Sequence, residues 1–222
     1  MSSTNVVADI TSVGMLPAFR PADHVQRIFA GLFFGAFAGS LIGILFFSYG
    51  MAPFGYILPF IVAAALLVIG LTLYYLVRDT TDHSIPVVAK VLGTAEHVSN
   101  RRLKSGGIAV PVVVHPLEGE NFRTIVVANA KRGEPGDIPV GTLLALRQIE
   151  PGVGDLYPAE ATEEQREYMR RWADNPRLVK NRAKALPLRR SPLDRRPLLA
   201  GIELYGAVLV SAIAMILALS AL

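Results

Sequence analysis

The chain of 222 residues has no cysteine. Disulfides, thiolate metal sites, iron–sulfur clusters, cysteine nucleophiles and palmitoylation are thereby excluded. Charge is scarce as well. Asp, Glu, Lys and Arg make up 18% of the residues, where a soluble domain carries about a quarter. Hydrophobic residues reach 52%, and the mean hydropathy is +0.42. Such a composition excludes a disordered chain, a coiled coil and an ordinary cytosolic enzyme, and it points to the membrane. None of the four histidines (His24, His83, His97, His115) lies in a long apolar run, so histidine cannot hold a haem between helices. The phosphate-binding patterns G-x-x-x-x-G-K-[ST] and G-x-G-x-x-G, the H-E-x-x-H metal pair and the G-x-S-x-G elbow are all missing. His97 and His115 could meet across strands as a zinc pair, but the spacing favours ordinary surface histidines. No cofactor and no catalytic residue is therefore expected.

What is present is bunched. Ile28 to Tyr49 carries no charge, and its 22 residues span about 33 Å as a helix, enough for a hydrocarbon core of ~30 Å. A short uncharged turn follows, and Tyr56 to Val77 is a second such run. The third, Leu198 to Leu222, has one charge, Glu203. The first run is too long, and begins too far along the chain, for a secretory signal, so a retained transmembrane helix is expected. Arg20 and Arg27 precede it; the other twenty Lys and Arg all fall between Arg78 and Arg196. The expected topology places the N-terminus and the large central segment on the inner side of a bacterial plasma membrane, and the C-terminus at the outer face. Glu203 is expected at the inner interface near Arg195 and Arg196. The alternative is a pairing with a cation on a partner helix, because a charge at mid-bilayer costs about 2.5–3.5 kcal/mol.

Between the second and third runs the texture is that of a β domain. Val87–Leu92, Ile108–His115, Phe122–Ala128 and Thr142–Ile149 read as strands, with Pro116–Asn121 as a hairpin turn. Pro111 cannot donate to a ladder, which predicts an edge or bulged strand. Thr162-Glu163-Glu164-Gln165 has the capping-box pattern and opens a short helix. Its Tyr168 and Trp172, at i and i+4, either pack onto the β domain or form a docking stripe. The expected fold class is an α+β membrane protein with three transmembrane helices, an N-terminal hairpin and a C-terminal tail helix. A small antiparallel β barrel or sandwich is inserted before the third helix. The expected parts are a leader at 1–27, the hairpin at 28–77, a β domain at 78–158 and an amphipathic helix at 159–175. A basic linker at 176–197 and the tail helix at 198–222 complete the chain.

Two patterns are candidates for contacts. The basic segment Arg177, Lys180, Arg182, Lys184, Arg189, Arg190, Arg195 and Arg196 is set against one Asp194. It suits anionic phospholipid headgroups or an acidic partner face, and few aromatics accompany it, which argues against nucleic acid. Gly31, Gly35, Gly39 and Gly43 recur every four residues. An i+4 step turns 40° on a helix, so they form one slowly winding groove that another helix can approach closely. The pattern says that a helix packs there. It leaves open whether that helix is the second or third of this chain or belongs to another integral membrane protein. Gly206, Ala207, Ser211, Ala214 and Ala218 are small residues that the third helix could offer, and the phenylalanines from Phe29 to Phe47 lie largely off the stripe.

The hairpin Ile28–Val77, the run Val110-Pro111-Val112-Val113-Val114-His115-Pro116, the stretch Gly119-Glu120-Asn121-Phe122 and the segment Ile138-Pro139-Val140-Gly141-Thr142 resemble small membrane proteins of high-GC Gram-positive bacteria in which helices flank a compact β domain. In size and helix number the chain is similar to accessory subunits of actinobacterial cytochrome bcc–aa3 respiratory supercomplexes. The resemblance implies a non-catalytic accessory or scaffold subunit, held to its neighbours through its helices. The alternative is a stand-alone sensor whose β domain takes up a small ligand or peptide at the edge strand around Pro111.

Overall fold

The computed structural model describes residues 6–47, 52–92, 108–128, 138–176 and 178–221. The described chain forms two compact units, one from Met1–Leu16 with Asp82–Arg189, the other from Pro17–Thr81 with Arg190–Leu222.

The second unit is helical. It contains α2 (Pro21–Phe47), α3 (Pro53–Val77) and α5 (Leu198–Ser220), each long and apolar enough to cross a membrane. The chain is thus a multi-pass membrane protein. Helix α2 begins well before the charge-free run. Pro21 suits a first turn because its missing N–H would have no partner there. Asp23 reaches back to accept the Arg20 N–H at 2.9 Å. The charged residues Asp23, His24 and Arg27 are therefore helical, and the leader expected at 1–27 does not exist as one piece. Both α3 and α5 pack on α2. Phe29 of α2 fills the space over Gly70 of α3, and Phe37 meets Phe60 edge-on at 5.6 Å. Elsewhere the large side chains point outward, among them Phe34, Leu45, Phe46, Leu76, Leu198 and Leu209. A surface this apolar suits lipid as solvent.

The first unit is a curled half-barrel sheet with two helices. Its strands are β2 (Ile85–Val91), β3 (Ile108–Pro116), β4 (Phe122–Ala128), β5 (Leu143–Gln148), β6 (Leu156–Pro158) and β7 (Lys184–Ala185), in the order β6-β5-β2-β3-β4-β7. All neighbours are antiparallel except β4 and β7. Alternation sorts the core. Val87, Ala89 and Val91 of β2, Val110, Val112 and Val114 of β3, and Phe122 of β4 bury one face. Val88 and Val113 bury the other, beneath Trp172 of α4 (Glu163–Asp174) and Val179. Ile10 of α1 (Val6–Thr11) adds to this cover with Ala109, Ile125 and Ala185, and Asp9 pairs with Arg123 at 2.8 Å.

Among the described residues an open, curled six-stranded sheet stands in place of the closed barrel or sandwich. The central strands are apolar on both faces, which calls for cover on each side rather than closure, and the outermost strands β6 and β7 are too short to join. The edge assignment of Pro111 is also corrected, because β3 lies between β2 and β4. The carbonyl of Pro111 accepts the Leu92 N–H at 2.9 Å, so its nitrogen faces the same side. Opposite Leu92, the last described residue of that segment, the missing donor costs one bond. The basic linker is structured too. Beyond β7, β8 (Leu188–Arg189) pairs in parallel with β1 (Met15–Leu16).

The capping box is formed: Thr162 Oγ1 accepts from Gln165 N at 3.2 Å, and Gln165 Oε1 from Thr162 N at 3.0 Å. Gln165, fully buried, also donates through Nε2 to the Val87 and Leu146 carbonyls at 2.7 and 2.9 Å. One side chain thus caps α4 and fastens it across β2 and β5.

Candidate functional site

The charged residues of the helical unit gather where α2 and α5 begin. Arg27 is 1% exposed. Its Nε donates to Glu203 Oε2 at 2.8 Å, and one terminal nitrogen donates to the carbonyls of Ala18 at 2.7 Å and Pro192 at 3.2 Å. His24 Nδ1 lies 2.9 and 3.1 Å from the two Glu203 oxygens and 3.2 Å from the other Arg27 terminal nitrogen. Phe19 stacks on the His24 ring at 5.6 Å and lies 5.5 Å below the Arg27 guanidinium. A buried guanidinium needs acceptors for its donors, and this one finds them on Glu203, Ala18 and Pro192. The carboxylate also sits near the positive ends of two helix dipoles.

This corrects the expected surroundings of Glu203. Its partners are Arg27 and His24 rather than Arg195 and Arg196. Arg195 lies 5.4 Å from the Tyr205 ring centre, and the Arg196 backbone N–H donates to Asp194 at 3.1 Å. The signal that could have located the pair is a lone acid in one apolar helix and a lone base at the matching depth of another. It was hidden because Arg27 stood outside the charge-free run.

Above this cluster runs the glycine seam. Gly31, Gly35, Gly39 and Gly43 are all buried, and α5 lies on them. A Cβ added at Gly31 would come 2.6 Å from the Leu204 carbonyl oxygen, and one at Gly39 would come 2.6 Å from that of Ala212. At Gly35 it would overlap Ser211 and the Val208 carbonyl, and at Gly43 the Leu219 side chain. The close approaches advance in the same direction along both helices, from Leu204 through Val208 and Ala212 to Leu219, so α2 and α5 run parallel. Ser40 and Ser211, also on the seam, bond within their own helices to Ala36 and Ala207. Of the small residues noted on the third helix, Ala207 and Ser211 meet the stripe, whereas Gly206, Ala214 and Ala218 are exposed.

The residues of the basic segment have different surroundings. Arg189 pairs with Glu150 at 2.6 Å, and its backbone N–H donates to Asp155 at 2.8 Å. Arg190 pairs with Asp194 at 3.0 Å. Lys180, Arg182, Lys184, Arg195 and Arg196 are exposed, and Arg177 lies outside the described residues. Lys180 and Arg182 line a shallow cleft of about 360 Å³ with Pro176, Val179 and Asn181. Burial pushes the Asp155 carboxyl above its usual range, against the pull of the Arg189 N–H and cation. The Arg196 N–H and the Arg190 side chain hold Asp194 below that range.

His97 lies outside the described residues; His115 bonds Asn121 at 2.6 Å and stacks on Tyr168 at 4.3 Å. Burial raises the Tyr168 hydroxyl's pKa. Tyr168 and Trp172 both pack on the sheet. Among the described residues no group of His, Asp and Glu is arranged to hold a metal. No protein-family model, no curated protein and no solved structure matches the chain.

Proposed function

We propose that the chain is a non-catalytic accessory subunit of a larger bacterial inner-membrane complex, anchored by its helices and engaging its neighbours mainly through the sheet unit. One observation carries this reading: the glycine stripe, the feature best suited to hold a foreign helix, is filled by α5 of the same chain. The helical unit therefore serves as an anchor, and scaffolding through the glycines themselves is set aside. A respiratory-chain supercomplex is the leading candidate, on the strength of the resemblance in size and helix number. The excess of Lys and Arg between α3 and α5 supports an inner location for the sheet unit, and the parallel course of α2 and α5 fits a topology in which both start on that side. Arg195, beside Tyr205, and Arg196, both exposed just before α5, suit anionic phospholipid headgroups, each contributing about 1 kcal/mol. Nucleic acid is not a partner in this reading. The stand-alone sensor loses the edge strand it was to use, since Pro111 is interior.

The test is extraction of the full chain in a mild detergent, followed by blue-native electrophoresis with haem staining. Migration in a band far above 24 kDa supports the accessory reading, and haem in that band supports the respiratory one. Migration alone as a monomer or small homo-oligomer overturns it.

A further inference from the structure

We infer that the Arg27–Glu203 pair sets the register of α5 on α2, a choice that the glycine seam cannot make for itself. The seam is periodic. Gly31, Gly35 and Gly39 meet the α5 backbone near Leu204, Val208 and Ala212, each a four-residue step from the last. Sliding α5 by one turn, about 6 Å, would set each glycine against the next equivalent stretch of backbone, with nearly the same close approach. Small-residue packing alone is thus nearly degenerate between registers.

Arg27 stands four residues before Gly31 and so continues the same stripe. It carries a charge that the glycines lack. Its Nε is 2.8 Å from Glu203, His24 Nδ1 is 2.9 Å from the same carboxylate, and one terminal guanidinium nitrogen donates to the Ala18 and Pro192 carbonyls. A one-turn slip would draw Glu203 away from Arg27 and His24. It would leave a nearly buried guanidinium short of its anion. A single polar residue that fixes the register of an otherwise repetitive apolar interface is a known use of such groups. Arg27 is in this sense a positioning residue.

The absence of native cysteine makes the register readable. In the full chain in membranes, Gly43→Cys with Leu219→Cys reports the register described here, because Gly43 lies against Leu219. Gly43→Cys with Met215→Cys reports a one-turn slip. In the parent background the first pair is expected to cross-link and the second hardly at all. The reverse would mean that the described register is itself wrong, and the inference with it. Arg27→Leu with Glu203→Leu removes both charges without leaving either unpaired. It is expected to stay inserted while the ratio of slipped to native cross-link rises at least tenfold. Glu203→Gln, which keeps the shape but not the charge, should raise that ratio by a smaller factor. Parent-like cross-linking in both variants overturns the inference. So does loss of both from the membrane, since the pair would then act on insertion rather than register.

Discussion

In the sheet unit, close packing comes from large side chains. Val87, Val88, Val112 and Val113 are wholly buried on the two faces, and Trp172 closes one of them. Removing water from those groups drives the assembly. In the helical unit, close packing comes from having almost no side chain. Gly31 to Gly43 let α5 settle onto backbone, while the phenylalanines and leucines point outward. Between helices in lipid there is no water to expel, so contact area and a few polar bonds must suffice. The same comparison explains where the polar groups sit. The sheet unit distributes ion pairs over its surface, as with Arg166–Glu163 and Arg171–Glu167 on α4, whereas in the helical unit a buried guanidinium, Arg27, is matched by Glu203. A mutation should thus act oppositely in the two places: adding bulk harms the helices, and removing bulk harms the sheet.

The largest expected effect is Gly35→Leu with Gly39→Leu. Overpacking typically costs about 1–3 kcal/mol per site, so about 2–6 kcal/mol together. Insertion should not suffer, since leucine is at least as apolar. The fault should appear as a collapse of the anchor's thermal midpoint in detergent, and cysteines at positions 43 and 219 should cease to cross-link. Ala30→Leu with Phe34→Leu, off the seam, should remain within about 0.5 kcal/mol of the parent. Equal effects of the two pairs would erase the distinction between the units. Next is Trp172→Ala, expected to cost about 3–5 kcal/mol in the sheet unit. Hydrogen exchange of β2 and β3 amides should speed up while the helical amides keep their protection. Gln165→Leu comes third. It strips two carbonyls and the helix cap of their partner, for about 2–3 kcal/mol, and should loosen α4 before the strands.

The smallest concerns pH. The folded Asp155 carboxyl holds its proton to higher pH than the unfolded one, mainly through burial. Across that window the folded state binds more protons than the unfolded one. The stability contributed by this group is therefore full below the usual carboxylate range and declines above it. Asp155→Asn keeps an acceptor for the Arg189 N–H and removes that decline. Thermal midpoints from about pH 3.5 to 7 should fall less in the variant than in the parent. A parallel course of the two curves would refute the assignment.

The glycine stripe was legible because a four-residue repeat is a property of one helix alone. Its occupant was not, since that depends on which other helix presents backbone at a matching depth. The Arg27–Glu203 pair escaped notice for a simpler reason: apolar runs are delimited by charge, and the criterion that located the helix also cut off its first turn. Strands β2 to β5 were legible within a residue or two from β-branched alternation. Strands β1, β7 and β8, two residues each, carry no period to detect. Pro111 misled because a missing donor matters only on the side where a partner continues. The capping box was read correctly from four residues, but not the second task of Gln165, whose acceptors are 78 and 19 residues away.

Helix α2 has one neighbour close by in sequence and another far off, α5, separated from it by residues 48–197. At a synthesis rate of about 5–20 residues per second, those 150 residues take about 8–30 s to emerge. If α2 enters the membrane as it is made, its groove and its guanidinium lack α5 throughout that interval. Something else must occupy both in the meantime, whether lipid, the insertion machinery or another chain. The nascent protein therefore passes through a period of open binding capacity that the finished one has closed.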